Sequence, residues 1–294
     1  MTTQMETLFA FLEQHAPDLE QPMDQIRATY ETMIAAQPVV DGYTRAEITL
    51  GGIACTSLTA PQPGDALLLY LHGGGYMLGS GACYAGVASG FAAAFGADAI
   101  SVDYPLAPEA PAPAAQNAAL AVYRALLERG HDAKRIVVAG DSAGGGLTMA
   151  LLLALKAQAL PMPAAACLIS PWVDLTLSHS SMVSRAEADF LLSKEALGQM
   201  AGAFLAGGAD ARDPAISPLF GDLTGLPPIM IQVGTAEVLL DDALELAKAL
   251  AHADVTTDLR VWPGMPHDWT LFAQILDEGK QAQCDAGAFL ARYL

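Results

Sequence analysis

Three residues far apart in this chain, Ser142, Glu237 and His267, have the types and the order needed for nucleophilic acyl transfer. A serine hydroxyl is a weak nucleophile at neutral pH. It needs a base to take its proton, an acid to orient that base, and N–H donors for the oxyanion that forms. Ser142 is the centre of Gly140-Asp141-Ser142-Ala143-Gly144. The apolar run Ile136-Val137-Val138-Ala139 precedes it and reads as a buried strand. The run Leu147–Leu155 follows and reads as a buried helix. Gly-x-Ser-x-Gly between a strand and a helix is the signature of a nucleophile elbow, a turn so tight that the serine backbone is strained. A glycine-rich turn around a buried serine carries the same five residues, so the partners must be found elsewhere.

The chain has six histidines, and on this architecture the base follows the acid, which follows the serine. His15, His72 and His131 precede the serine, and His179 lies in a polar segment without a strand. His252 falls on a helix. His267 lies just after the last strand, at the edge where the elbow opens, and is the expected base. The acid should follow the strand at 229–233. Glu237 is favoured because it sits in the loop. Asp241 is second, since it and Asp242 fall where a helix begins and where carboxylates cap it. His72-Gly73-Gly74-Gly75 follows another central strand. Glycines there let bare N–H groups approach a developing negative charge, so Gly74, Gly75 and Ala143 are the expected oxyanion donors.

Positioning these residues requires a sheet with its strand ends aligned. Residues 1–36 read as two helices, the second opened by Pro22 and closed by Pro38. Tyr43–Leu50 and Ile53–Thr59 around Gly51-Gly52 read as a hairpin, and 61–64 as a loop. Strands are expected at 66–71, 99–102, 136–139, 165–169, 228–233 and 257–262, with helices near 82–95, up to Leu126, after the elbow, at 242–251 and up to about 292. Pro263-Gly264-Met265-Pro266 reads as a loop. Such alternation predicts a mostly parallel sheet with helices on both faces, binding ligand at the carboxyl ends of its strands. The alternation lapses between 175 and 216, a stretch longer than an ordinary crossover and so a candidate cap.

With 53% hydrophobic residues the chain can bury a large core, and with 16% charged residues it is not a disordered one. A net charge of −18 argues against nucleic-acid and anionic-membrane partners. The four cysteines have no metal-ligand spacing, which argues against zinc and for a reducing, cytoplasmic setting. No signal peptide or membrane span is read near the N-terminus. Met77, Trp172, Phe190, Phe204 and Leu205 could line an apolar acyl pocket, and each is equally a core type.

The motifs together resemble the hormone-sensitive-lipase-like family of α/β-hydrolases, the bacterial type IV esterases. The matching pieces are His72–Tyr76, Asp103–Glu109, Gly140–Gly145, Ser170–Leu175, Gly225–Pro228, Gly234–Asp242 and Gly264–His267. The resemblance implies an α/β-hydrolase domain (41–174 and 217–294) and a cap made of residues 1–40 and the 175–216 insertion. It implies no cofactor and frequent homodimers; hydrolysis of esters or lactones through an acyl-enzyme is the expected activity, and a capped pocket favours short to medium acyl chains. The rival on this fold is a non-catalytic small-molecule receptor, which would lack the histidine. In two places the chain departs from the family. Pro105 replaces the usual arginine, whose ion pair would support the glycine loop, and Glu237 stands where many members carry aspartate, as in a subgroup that includes ε-lactone hydrolases.

Overall fold

The computed structural model describes residues 3–18, 21–62 and 64–294, so Pro63 of the expected 61–64 loop lies outside it. Eight strands form one sheet: β1 (Thr44–Leu50), β2 (Ile53–Thr59), β3 (Leu67–Leu71), β4 (Asp98–Val102), β5 (Ile136–Asp141), β6 (Ala165–Ile169), β7 (Ile229–Ala236) and β8 (Thr257–Pro266). Their spatial order is β1-β2-β4-β3-β5-β6-β7-β8. β2 pairs antiparallel with β1 and β4, and every later pairing is parallel. The hairpin turn uses Gly51 and Gly52 at φ 57° and 82°, a left-handed geometry that glycine adopts without steric cost.

The order reverses at β3, which has β4 on one side and β5 on the other. Ligands bind open α/β sheets at such a switch point, beyond the strand carboxyl ends. Here Leu71 is paired with Gly140, so the glycine loop after β3 and the elbow after β5 emerge side by side.

Side chains alternate across the central strands. Leu69, Leu71 and Val138 pack toward α4 (Ala114–Glu128) and α5 (Ala143–Ala157), while Leu68, Tyr70, Val137 and Ala139 pack toward α3 (Ala85–Ala93) and α9 (Asp277–Leu290). α8 (Leu240–His252) covers β6 and β7. The N-terminal helices are α1 (Thr3–His15) and α2 (Met23–Ile34); the 175–216 stretch carries α6 (Ser181–Ser184) and α7 (Lys194–Phe204). The two pieces meet where the rings of Phe9 and Phe190 lie 4.2 Å apart.

One strand differs from expectation. β8 runs through Pro266, where the sequence suggests an end at Trp262 and a loop. A register shift at Gly234–Ala236 lets β7 pair on, Ala236 against Pro266. β8 is an edge strand, so its prolines lose no ladder bond on the open side.

α5 starts against the ends of its neighbours. A Cβ on Gly144 would lie 2.0 Å from the Leu71 carbonyl oxygen, a backbone atom that cannot yield. Gly202 of α7 has nothing within 4 Å. Gly144→Ala is expected to lower unfolding free energy by about 2–3 kcal/mol. Gly202→Ala should raise it by about 0.5–1 kcal/mol, the gain in helix propensity. Urea midpoints of the two variants, which must move in opposite directions, check both statements.

Candidate active site

β5 ends at Asp141, and Ser142 follows at φ 51°, ψ −119°, outside the regions a side chain prefers. The strain is held from both sides. Ser142 N–H donates to the Ile169 carbonyl at 2.8 Å, and the Ser142 carbonyl accepts from Trp172 N–H at 2.9 Å and Gly146 N–H at 3.1 Å. The serine is thus raised above the sheet at the N-terminus of α5.

The extended β7–β8 pairing delivers the other two residues. Ala236 and Pro266 are partners, so Glu237 and His267 come next on adjacent strands, and His267 Nδ1 lies 2.9 Å from Glu237 Oε2. The other carboxylate oxygen of Glu237 accepts from Ser170 Oγ at 2.9 Å and from Gly234 N–H at 2.5 Å. Glu237 is fully buried. Burial pushes its pKa up to about 7 against the lowering pull of the His267 hydrogen bond and charge.

Asp241 and Asp242 do other work. Asp241 accepts from Ser180 Oγ at 2.6 Å and Ser181 N–H at 2.8 Å, and Asp242 from the N–H groups of Val173 and Asp174, both at 3.0 Å. His252 is exposed at the end of α8.

Gly74 and Gly75 take φ 99° and 62°. Among the described residues, the N–H groups of Gly74, Gly75 and Ala143 have no protein acceptor. The loop that carries the first two is braced from below. Gly73 N–H donates to Asp141 Oδ2 at 3.1 Å, and Tyr104 Oη–H donates to the His72 carbonyl at 2.6 Å. The His72 ring stacks on Tyr104 at 4.1 Å, and burial brings its pKa down to about 4, so it is neutral. Pro105 leaves no cation at its own position, but Arg27 of α2 reaches the region. It donates to the carbonyls of Met77 at 2.9 Å and Ala107 at 2.8 Å and pairs with Glu109.

These groups open on one cavity of about 240 Å³, bounded by Gly74, Gly75, Ser142, His267 and Asp268, with Tyr30 from α2 and Leu197 and Met200 from α7. Of the expected pocket residues, Phe190 lines it. Met77, Trp172, Phe204 and Leu205 do not. Trp172 and Phe204 are fully buried around Tyr76, with Phe204 stacked on that ring at 3.9 Å. Leu205 packs against the same core, and Met77 faces a separate small depression beside Ile26. Periodicity identifies these as buried apolar residues but not which side of the glycine loop they occupy.

The family model described as α/β hydrolase fold matches residues 68–271. A crystal structure of an esterase from the bacterial hormone-sensitive lipase family superimposes with TM-score 0.96 at 39% identity, covering 100% of this chain and 99% of that one. This chain belongs to the hormone-sensitive-lipase-like α/β-hydrolases. It is also similar to an acetyl-hydrolase of Streptomyces hygroscopicus, 41% identical over 94% of this chain and 96% of that protein. An esterase of Acinetobacter venetianus is 39% identical over 82% and 80%.

Sequence reasoning missed three participants in this hydrolase site. Ser170, at φ 43° after β6, holds Glu237. Asp189 accepts from Leu191 and Leu192 N–H and, through its other oxygen, from Val238 N–H at 2.8 Å, tying the 175–216 stretch to the loop of the acid. Asp268 Oδ2 lies 3.0 Å from His267 Nε2, the nitrogen a serine would need, and no hydrogen bond joins that nitrogen to Ser142. Burial works to lower the His267 pKa, but the combined pull of Asp268 and Glu237 outweighs it and raises the pKa well above the ordinary value. The motif Ser170-Pro171-Trp172 marked the first of these; a carboxylate beside the histidine was the signal for the third.

Removing the Ser170 hydroxyl leaves Glu237 Oε1 with Gly234 N–H alone. Ser170→Ala is expected to slow labelling of Ser142 by an organophosphate about 10-fold, the worth of a hydrogen bond to a buried charged group. Pseudo-first-order labelling rates at pH 8 measure it.

Proposed function

We propose that the protein is a serine carboxylic-ester hydrolase that cleaves short- to medium-chain esters or lactones through Ser142, His267 and Glu237. One observation supports this reading: Gly74 and Gly75, whose N–H groups have no protein acceptor among the described residues, line one cavity together with Ser142 and His267, and the equally unpaired N–H of Ala143 follows the serine directly in the chain. Donors fixed in a water-poor site stabilise an oxyanion without having to reorganise. Ser142 Oγ attacks the carbonyl, and its proton passes to His267 Nε2 and on to the leaving alcohol. Glu237 holds the ring through Nδ1 and stabilises the cation that forms. Water, activated by the same nitrogen, then releases the acid from the acyl-enzyme.

The lining supports a neutral, apolar acyl group. Apart from His267 and Asp268 its residues are uncharged, and leucine, methionine and phenylalanine dominate it. Residues 1–40 and 175–216 read as a cap over this cavity, supported by Tyr30, Phe190, Leu197 and Met200 in its wall. The relatives described as acetyl-hydrolase and esterase support the reaction class. A lactone presents the same carbonyl and is attacked by the same groups.

Ser142→Ala should reduce kcat for p-nitrophenyl butyrate by roughly 10⁵–10⁶-fold. Near-normal turnover would remove Ser142 from the mechanism, and failure of the wild-type protein to take up an organophosphate at Ser142 would favour the receptor reading. An acyl-length series run beside ε-caprolactone ranks esters against lactones.

The pH dependence has a definite sign. An imidazolium has no lone pair, so the base exists only above the His267 pKa. Asp268 and Glu237 hold that pKa well above its ordinary 6.5, so kcat/KM is expected to rise with pH with a midpoint above 6.5. Rates from pH 5 to 9 test this, and a flat profile from pH 5 to 8 contradicts it.

A further inference from the structure

Arg27 of α2 places four of its five N–H groups on three partners. Nε–H donates to the Met77 carbonyl at 2.9 Å, and an Nη2–H to the Ala107 carbonyl at 2.8 Å. The other two go to the carboxylate of Glu109, at 3.0 and 2.7 Å. The Arg27 side chain is 24% exposed and that of Glu109 63%, so the ion pair faces water and contributes little. The two carbonyls belong instead to segments that hold the glycine loop.

A trans peptide is planar and points its C=O and N–H in opposite directions, so fixing one end fixes the other. The Met77–Leu78 peptide is held at both ends. Its carbonyl accepts from Arg27 Nε–H, and its N–H, that of Leu78, donates to the Gly74 carbonyl at 2.9 Å. The Gly74–Gly75 peptide comes next. Its N–H is that of Gly75, which has no protein acceptor among the described residues and belongs to a residue lining the cavity beside Ser142. Two rigid units in series thus lead from the guanidinium to the Gly75 N–H. A further bond steadies the same Gly74 carbonyl: Met77 N–H donates to it at 3.0 Å, while the carbonyl of Tyr76, on the other end of that peptide, accepts from Ala107 N–H at 2.9 Å. Ala107 is the second residue that Arg27 holds. The turn is closed tightly, since a Cβ on Gly74 would lie 2.3 Å from the Leu78 carbonyl oxygen.

We propose that Arg27 is a positioning residue that aims the Gly75 N–H at the substrate oxyanion through the Met77–Leu78 and Gly74–Gly75 peptides. Hydrogen bonds in a chain polarise one another, and a cation at the head of this one makes the last N–H a better donor. Arg27 does not line the cavity, so it acts only through the loop. It stands three residues before Tyr30, which does line the cavity, so the helix that walls the pocket also sets the donor. This inference rests on the reading of Gly75 as an oxyanion donor in a Ser142 hydrolase.

Arg27→Lys separates the peptide chain from the ion pair. Lysine keeps a positive charge for Glu109 but carries a methylene where arginine has Nε–H, so the Met77 carbonyl loses its donor. Outright removal of one oxyanion donor costs ~10²–10³ in kcat; tilting one costs less, and kcat for p-nitrophenyl butyrate should fall about 10-fold. KM should stay within about 2-fold, because the lost interaction belongs to the transition state, whereas a loosened α2 would raise KM through the pocket wall. A trifluoromethyl ketone, whose adduct with Ser142 places an oxyanion at the same donors, should bind the variant about 10-fold more weakly, with binding of the matching methyl ketone unchanged. Glu109→Gln removes the anion and leaves Nε–H in place, so its kcat should lie within about 2-fold of wild type. Wild-type kcat in Arg27→Lys overturns the proposal, as does a loss confined to KM or an equal loss of kcat in Glu109→Gln. Arg27→Met, which has no donor at all, takes the place of the lysine variant if that does not fold, and should lose at least as much kcat. Organophosphate labelling of Ser142 in the wild-type protein reports separately. Its absence removes the hydrolase reading, and its presence beside an unaffected Arg27→Lys removes this inference alone.

Discussion

The site hangs on the crowding of backbone at the end of β5. Ser142 is kept at φ 51° because the chain on both sides has nowhere else to go. Gly140 and Gly144 face each other closely enough that a Cβ on the first would lie 2.3 Å from the carbonyl oxygen of the second, and Gly146 is pressed against the Trp172 carbonyl. Three strand ends and one helix start thus share a space in which Gly140, Gly144 and Gly146 have no room for a side chain. Strain of this kind persists only where its surroundings over-determine it. Ile169 and Trp172, on the strand and loop beside the elbow, supply that constraint through their hydrogen bonds to Ser142.

Around this rigid point the polar groups are interdependent. Asp141 belongs to the elbow and yet anchors the first glycine of the loop after β3. Ser170 receives the Asp268 N–H at 3.3 Å and donates to Glu237, so the loops after β6, β7 and β8 are joined through one hydroxyl. Asp141, Glu237 and Asp268 are all buried, and burial pushes the carboxyl pKa of each up. The hydrogen bonds that Asp141 and Glu237 accept limit the energetic cost of burying these acids.

The cavity beside Ser142 is built from parts remote in sequence. α2 contributes Tyr30 to it and Arg27 to the outer end of the glycine loop, while α7 lays Met200 over Gly75, where a Cβ would meet its sulfur at 2.2 Å. A change in either piece would therefore alter both the cavity and the glycine loop.

Much of this was legible from residues alone. The elbow, the glycine loop, the ordered acid and histidine, and the parallel sheet with its antiparallel hairpin follow from local rules. Glycine spacing, apolar runs and turn residues each constrain a few consecutive positions, and the structure keeps those constraints at Gly51-Gly52, at 165–169 and at 140–144. The register of β7 on β8 was not legible, because pairing past a bulge depends on two strands distant in the chain, and it is this pairing that carries His267 to Glu237. Nor was the separation of Phe190 from Trp172 and Phe204. All three are large and apolar, and only packing against Tyr76 puts two of them in the core and leaves the other at the cavity. The approach of Asp268 Oδ2 to His267 Nε2 at 3.0 Å was likewise decided by tertiary structure, since a carboxylate next to a histidine in sequence can turn to either side of the strand end. The types of group available for chemistry are local properties of the chain; the choice of which groups touch is made by long-range packing.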